Sequence, residues 1–239
     1  MALSSVTELS DAMLILGLVG SPAGGKSSAA EFLASLGAEW INADLIARDC
    51  LGRPDVVSAL TARFGDSILN SDGTIDRAAL ADLVFGNDQV KRDNLAYLES
   101  LVHPLTRQEI QRRIVEAADR GRRVALLDAP LLFESGWDRS CDQIWCVDAT
   151  RENRLLRCKK RGWDAAELDR REANQMPIET KCRLSNLIMR NDATLDALHQ
   201  NLRLRWQDLV RMISAADAPL AAESAPPERH CSSDRGTIS

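Results

Sequence analysis

The sequence has no surplus of basic charge, no long hydrophobic run and almost no histidine, and each lack removes a class of function. Thirty lysines and arginines against 35 acidic residues leave a net charge of −5, so the chain as a whole has no pull on a nucleic-acid backbone. No nucleic-acid partner is expected. The longest strongly apolar run, Met13 to Val19, contains Gly17 and falls well short of the roughly 20 residues that cross a bilayer. Met1 to Asp11 lacks the basic start of a secretory signal. These features lead to the expectation of a soluble, cytoplasmic protein with no membrane partner. Six cysteines (Cys50, Cys141, Cys146, Cys158, Cys182 and Cys231) form no CxxC pair and have no histidine at finger-like spacing. Of the three histidines, His199 lies in a polar helical stretch and His230 near the end of the chain. A zinc centre has nothing to build on, and the cysteines read as reduced thiols.

No internal repeat is present either, and what remains is a globular pattern. With 239 residues, 45% of them hydrophobic, the chain can bury a core as one domain with insertions or as two small ones. Five short apolar segments read as strands: Met13–Val19, Glu39–Asn42, Val124–Asp128, Gln143–Asp148 and Asn186–Arg190. They alternate with helical patterns, which predicts an α/β fold built on a mostly parallel sheet flanked by helices. Roughly 80 residues between the second and third strands far exceed an ordinary crossover. They predict a helical insertion at about 53–121, with pieces at Asp55–Phe64, Asp76–Phe85 and Asp88–Val102, then a separate helix from Leu105 to Arg120 after Pro104. A smaller insertion follows the fourth strand at about 158–182, where Gly162 separates helices at Arg151–Arg161 and Asp164–Asn174. Core segments at 13–52 and 122–212 complete one domain. Residues 1–12 and 213–239, poor in large apolar side chains, read as disordered.

The segment Gly20-Ser21-Pro22-Ala23-Gly24-Gly25-Lys26-Ser27 satisfies G-x-x-x-x-G-K-[ST]. It follows the first strand and precedes Ser28–Leu36, in which Ala29, Phe32, Leu33 and Leu36 recur at helical spacing. In such a strand-loop-helix unit, consecutive backbone N–H groups wrap an anion and the helix N-terminus adds partial positive charge. The reading is a P-loop NTPase-type fold. Nucleotide phosphates would be held by Ala23, Gly24, Gly25, Lys26, Ser27 and Ser28, with Lys26 neutralising the terminal phosphates and the Ser27 hydroxyl on Mg²⁺. ATP and Mg²⁺ are the implied cofactors. Lys26 is the only lysine before Lys91. No Asn-Lys-x-Asp string reads guanine and no LSGGQ-like signature marks a transporter ATPase. The two helical insertions suit a small-molecule kinase that closes over its acceptor.

Beyond the loop, the sequence resembles the dephospho-coenzyme A kinase family. The resemblance runs from Asn42-Ala43-Asp44-Leu45-Ile46-Ala47-Arg48 through Leu101-Val102-His103-Pro104-Leu105, Asp128-Ala129-Pro130-Leu131-Leu132-Phe133-Glu134, Val147-Asp148 and Arg157 to Arg161. It continues through Gln175-Met176-Pro177 to Lys181 and ends at Arg190-Asn191-Asp192. It implies transfer of the ATP γ-phosphate to the 3′-hydroxyl of dephospho-coenzyme A, the last step of coenzyme A formation. Related nucleoside or metabolite kinases and a nucleotide-sensing regulator remain alternatives. By the resemblance Asp44 is the general base, Arg48 and His103 contact the acceptor, and the second insertion is a lid. Asp128 would hold a magnesium-bound water. Arg161 would lower onto the phosphates, so the catalytic set is Asp44, Lys26 and Arg161.

Plainer roles stand beside these. Asp44 could cap the helix at Leu45–Cys50, Asp128 could end its strand in a turn, and His103 could pack at the Pro104 kink. Arg157 reads as part of a solvated basic face with Lys159 and Lys160. Arg112, Arg113, Arg120, Arg122 and Arg123 could meet the coenzyme's phosphates, but read first as solvated helix surface. Two positions depart from the family pattern. Asn42 stands for an acid, and Ala23 for a glycine, at a strain of about 1–2 kcal/mol if that position needs a positive φ.

Overall fold

Val124–Asp128 is buried along its whole length, as only a strand covered on both faces can be. It is β3 of a five-stranded sheet in a computed structural model that describes residues 13–216 apart from Asn87. Residues 1–12 and those from 217 onward, expected to be disordered, lie outside the described residues. The other strands are β1 (Leu14–Gly20), β2 (Glu39–Asn42), β4 (Gln143–Asp148) and β5 (Leu187–Arg190). Their order is β2-β3-β1-β4-β5, and every neighbouring pair is parallel. All five fall where the apolar pattern placed them, so the α/β expectation is met.

Period-two alternation sorts the strand side chains onto two faces. On one side Leu16, Leu18, Val124, Leu126, Trp145 and Val147 pack with Ala29 and Leu33 of α1 (Lys26–Ser35) and with Leu198, Leu202 and Trp206 of the last helix. On the other, Val19, Ala125, Leu127, Ile144 and Cys146 meet the helices that follow β2. These are α2 (Ala43–Leu51), α3 (Pro54–Phe64), α4 (Arg77–Val84) and α5 (Gln89–Asp119). After β4 come α6 (Arg151–Lys160), α7 (Ala165–Ala173) and α8 (Ile178–Leu184), and after β5 the closing helix α9 (Leu195–Ala216). That last helix runs past residue 212, where the tail was expected to begin. Among the described residues no helix is long and apolar enough to cross a membrane. The five described cysteines are free thiols.

Pro104 was expected to divide two helices, but α5 continues through it. Proline removes one hydrogen bond and crowds the preceding turn. Tertiary packing compensates, because Val102, Thr106, Ile110 and Ala117 present one buried face on both sides of the proline. Pro104 itself is exposed, so the carbonyl freed by its ring can reach water.

Helix α2 begins earlier than expected, and this changes who caps it. The cap is Asn42, whose Oδ1 accepts the Leu45 N–H at 3.0 Å, while Asp44 sits inside the first turn. The residue that departs from the family pattern therefore holds the helix start. Replacing Asn42 with alanine should cost about 1 kcal/mol, lowering Tm by about 2–4 °C for a domain of this size. A thermal melt checks this.

Candidate active site

Parallel register brings the site to the carboxyl edge of the sheet. Asn42 pairs with Asp128, and Asp128 with Leu18, so the ends of β2 and β3 open beside the loop that leaves β1. Ligands of open α/β sheets bind at this edge. The loop has the tight path expected of a phosphate cradle. A Cβ on Gly20 would lie 2.2 Å from the Val147 carbonyl oxygen, and one on Gly25 would lie 2.1 Å from Asn191 Nδ2. Gly25 is also left-handed, with φ 109° at the start of α1, so no other residue fits there without strain.

Ala23 is the one non-glycine residue with positive φ among the described residues, at 59°. Its methyl is buried against Cys158 of α6 and Leu168 of α7. Two opposing terms follow. Glycine here would relieve about 1–2 kcal/mol of left-handed strain. It would lose about 0.8 kcal/mol of methyl burial and up to about 1 kcal/mol through the greater freedom of the unfolded chain. The Ala23→Gly variant should therefore melt within about 3 °C of the parent, which differential scanning calorimetry can check.

Lys26, at the start of α1, forms an ion pair with Asp128 Oδ1. The other carboxylate oxygen, Oδ2, accepts from Trp40 Nε1 at 3.2 Å and faces Asn42 Nδ2 at 3.5 Å. With only 2% of its side chain exposed, Asp128 is held on every side; it is more than a turn former ending its strand. Asp44 stands close enough to feel both groups. The protein mass around it pushes its carboxyl above the ordinary aspartate value, Lys26 works against that push, and the negative Asp128 adds to it. Its edge is nonetheless open to solvent. Ser27 is exposed one residue after Lys26, with Ser28 behind it.

Arg157 overturns its sequence reading. Its guanidinium donates from Nη1 to the carbonyls of Gly24 at 3.0 Å and Ala23 at 3.4 Å, and from Nη2 to that of Asn191 at 2.5 Å. It is bound to the loop and is no member of a solvated face. Asn191 joins it, with Nδ2 donating to the Gly24 carbonyl at 2.9 Å. Turning these loop carbonyls outward onto arginine and asparagine leaves the loop N–H groups free for an anion. Removing the guanidinium in Arg157→Met should raise the KM for ATP and cut kcat/KM by about 10- to 100-fold, measurable by steady-state kinetics.

Arg161 is exposed at the end of α6, its guanidinium 5.6 Å from the centre of the Trp163 ring. Its side chain makes no hydrogen bond or ion pair among the described residues. Arg48 lies one turn beyond Asp44 on α2 and is exposed, on the wall of a cleft of about 640 Å³ that also includes Asn70, Thr74 and Arg77. His103 is exposed on α5 rather than packed at the proline. Arg112 and Arg113 pair with Glu109 and, for Arg112, Glu116, on the wall of a cleft shared with Ile46 and Arg53. Hydrogen bonding from Arg112 above all holds the Glu109 carboxyl down at about 2. Arg120 pairs with Glu39.

Sequence reasoning passed over Trp40, gave Asn191 no role and read Arg157 as solvated surface. The Arg190-Asn191-Asp192 string was visible, and its place just beyond the carboxyl end of β5 was the available signal for Asn191.

A parallel sheet with a phosphate loop after its central strand, a loop lysine and carboxylates at the same edge defines a P-loop protein of the small-molecule kinase type. The comparisons carry this further. The family model for dephospho-CoA kinase matches residues 14–197, and the chain belongs to that family. It is 39% identical over 186 residues to the dephospho-CoA kinase of Rhodopirellula baltica, covering 78% of this chain and 86% of the relative. To that of Corynebacterium glutamicum it is 39% identical over 190 residues, covering 78% and 92%. Among solved structures, a Thermus thermophilus protein superposes with a TM-score of 0.70 at 30% identity, covering 82% of this chain and 98% of that one. The dephospho-CoA kinase of Campylobacter jejuni shares the fold, with a TM-score of 0.63 at 24% identity over 83% and 98% of the two chains.

Proposed function

We propose that the chain transfers the γ-phosphate of ATP to the 3′-hydroxyl of dephospho-coenzyme A, giving coenzyme A and ADP. The observation that carries this reading is the cluster of Lys26, Asp128 and Asp44 at the carboxyl edge of β1, β2 and β3. A hydroxyl attacking phosphorus must lose its proton as the new O–P bond forms. Asp44, solvent-accessible and with a raised pKa, is the group to take it. As the bond from the γ-phosphorus to the ADP oxygen breaks, negative charge spreads over the phosphoryl oxygens. Lys26 and the loop N–H groups supply the fixed positive field for it.

The residues fit Mg²⁺. A hydroxyl at Ser27 and carboxylates at Asp128 and Asp44 are hard oxygen donors of the kind Mg²⁺ takes. Among the described residues no group of three or more His, Cys, Asp or Glu could hold a metal. Ser27 would hold it directly and Asp128 through water. When bound, the ion would supply positive charge that offsets the charge on the phosphates during transfer.

In the second insertion α6 and α7 act as the lid, from which Arg161 would swing from Trp163 toward the transferred group. Ion pairs from Arg154 to Glu172 and from Arg151 to Asp169 tie α7 back to α6. The acceptor would lie along α2, meeting Arg48 and His103.

The test is ADP formation with ATP and Mg²⁺. Addition of dephospho-coenzyme A should stimulate it strongly, and nucleosides or nucleotides should not. Stimulation by a nucleoside alone would replace the acceptor. ATP binding with no acceptor-dependent turnover would leave a nucleotide-sensing protein.

A further inference from the structure

Lys181 is 1% exposed, and nothing in the proposed transfer uses it. An ammonium so deep is costly unless oxygens replace its hydration. Here they do. Its Nζ donates to the Pro130 carbonyl at 2.7 Å and to Gln175 Oε1 at 2.9 Å, and Glu134 Oε1 lies 3.8 Å away. Glu134 Oε1 in turn accepts the Met176 N–H at 2.6 Å. Burial pushes the ammonium below the ordinary lysine value, Glu134 and Cys146 oppose that push, and Lys26 adds to it.

The partners belong to two different parts of the site. Pro130 and Glu134 lie in the turn that follows β3, directly after Asp128, whereas Gln175 and Met176 lie in the joint between α7 and α8. One buried side chain therefore joins the segment leaving Asp128 to the base of the lid. The contacts of α7 with α6 are mixed. Next to the joint, Glu172 pairs with the buried Arg154, whereas the Arg151–Asp169 pair further along is exposed, and solvent-exposed pairs exchange at little cost. A buried joint holding two hydrogen bonds and a nearby carboxylate gives less readily than an exposed pair, so α7 is held most firmly at its Gln175 end.

We infer that Lys181 is a positioning residue, whose ammonium sets the pivot of the lid against the strand end that carries Asp128. The inference rests on the kinase reading of the site. Its effect runs through lid closure and not through phosphate contact, so it should separate kcat from nucleotide affinity.

The experiment uses the full chain with Gln175→Ala and Lys181→Met, singly and together. Turnover, ATP affinity by equilibrium binding and amide hydrogen exchange are measured for each. In each single variant kcat should fall about tenfold or more, since misplacement by an ångström can cost about 100-fold. The Kd for ATP should stay within about threefold. The double variant should be no slower than Lys181→Met alone, because both changes break one joint. Exchange should quicken in both 129–136 and 174–184. A kcat within about twofold of the parent in Gln175→Ala, or ATP affinity falling in step with kcat, overturns the positioning role. Unchanged exchange at 129–136 in Lys181→Met overturns the joint itself. Should Lys181→Met fail to fold, Gln175→Ala decides alone. The exchange readout needs no turnover: quickened exchange in both segments supports the joint even in a parent chain that dephospho-coenzyme A does not stimulate, a result that would sink only the kinase reading.

Discussion

Asp44→Asn is expected to lower kcat by about 10³-fold while leaving ATP affinity within about threefold of the parent. The amide keeps the size and the place of the carboxylate in the first turn of α2, but it cannot accept the proton of the attacking hydroxyl. The helix start should not suffer, because its cap is Asn42. The pH profile gives a second, independent reading. Burial and the nearby Asp128 raise the Asp44 pKa, and Lys26 offsets only part of that. The active form is the deprotonated one, so kcat/KM must fall as pH drops through the raised value. That acid limb should lie above about 3.9, where an unperturbed aspartate titrates, and it should be missing from the residual activity of the asparagine variant. An unchanged turnover number, or an acid limb that survives the substitution, would take Asp44 out of the base role.

Much of the fold was legible because its signals are local. An apolar run followed by Gly20–Ser27 and a helical stripe can be read within 25 residues or so, and the same holds for the β-branched strands. The parallel pairing of the strands followed from their alternation with helices, whereas their order did not. What could not be read depends on contacts far apart in the chain. Arg157 and Arg161 share a helix and a basic neighbourhood, and spacing alone cannot say which one meets a loop formed more than a hundred residues earlier. Asn42 and Asp44 are both good cap residues, so the choice between them turns on where the helix begins, a boundary set by the end of β2. Pro104 has a strong local preference for ending a helix, and a buried face that continues on both sides of it overrides that preference. Lys181 lies in the polar stretch Ile178–Leu184, where its burial leaves no local trace.

The largest expected effect belongs to Lys26→Met, which should cut kcat/KM for ATP by about 10³-fold and also change stability. On the proposed reading this ammonium has two jobs. It would offset the charge that develops on the phosphates, and in the structure it neutralises Asp128, whose side chain is only 2% exposed. Breaking a buried ion pair from one side costs about 3–5 kcal/mol, because the remaining charge is left without compensation. The donors from Trp40 and Asn42 remain on Asp128 Oδ2, so the loss should fall toward the lower end of that range. The two jobs can be separated by neutralising the partner. Adding Asp128→Asn to Lys26→Met should restore most of the lost Tm, since no uncompensated charge is then buried, but it should restore none of the activity. A double variant that stays as unstable as Lys26→Met would show that the ion pair does not hold the loop. One that regains turnover would show that Lys26 serves only to neutralise Asp128.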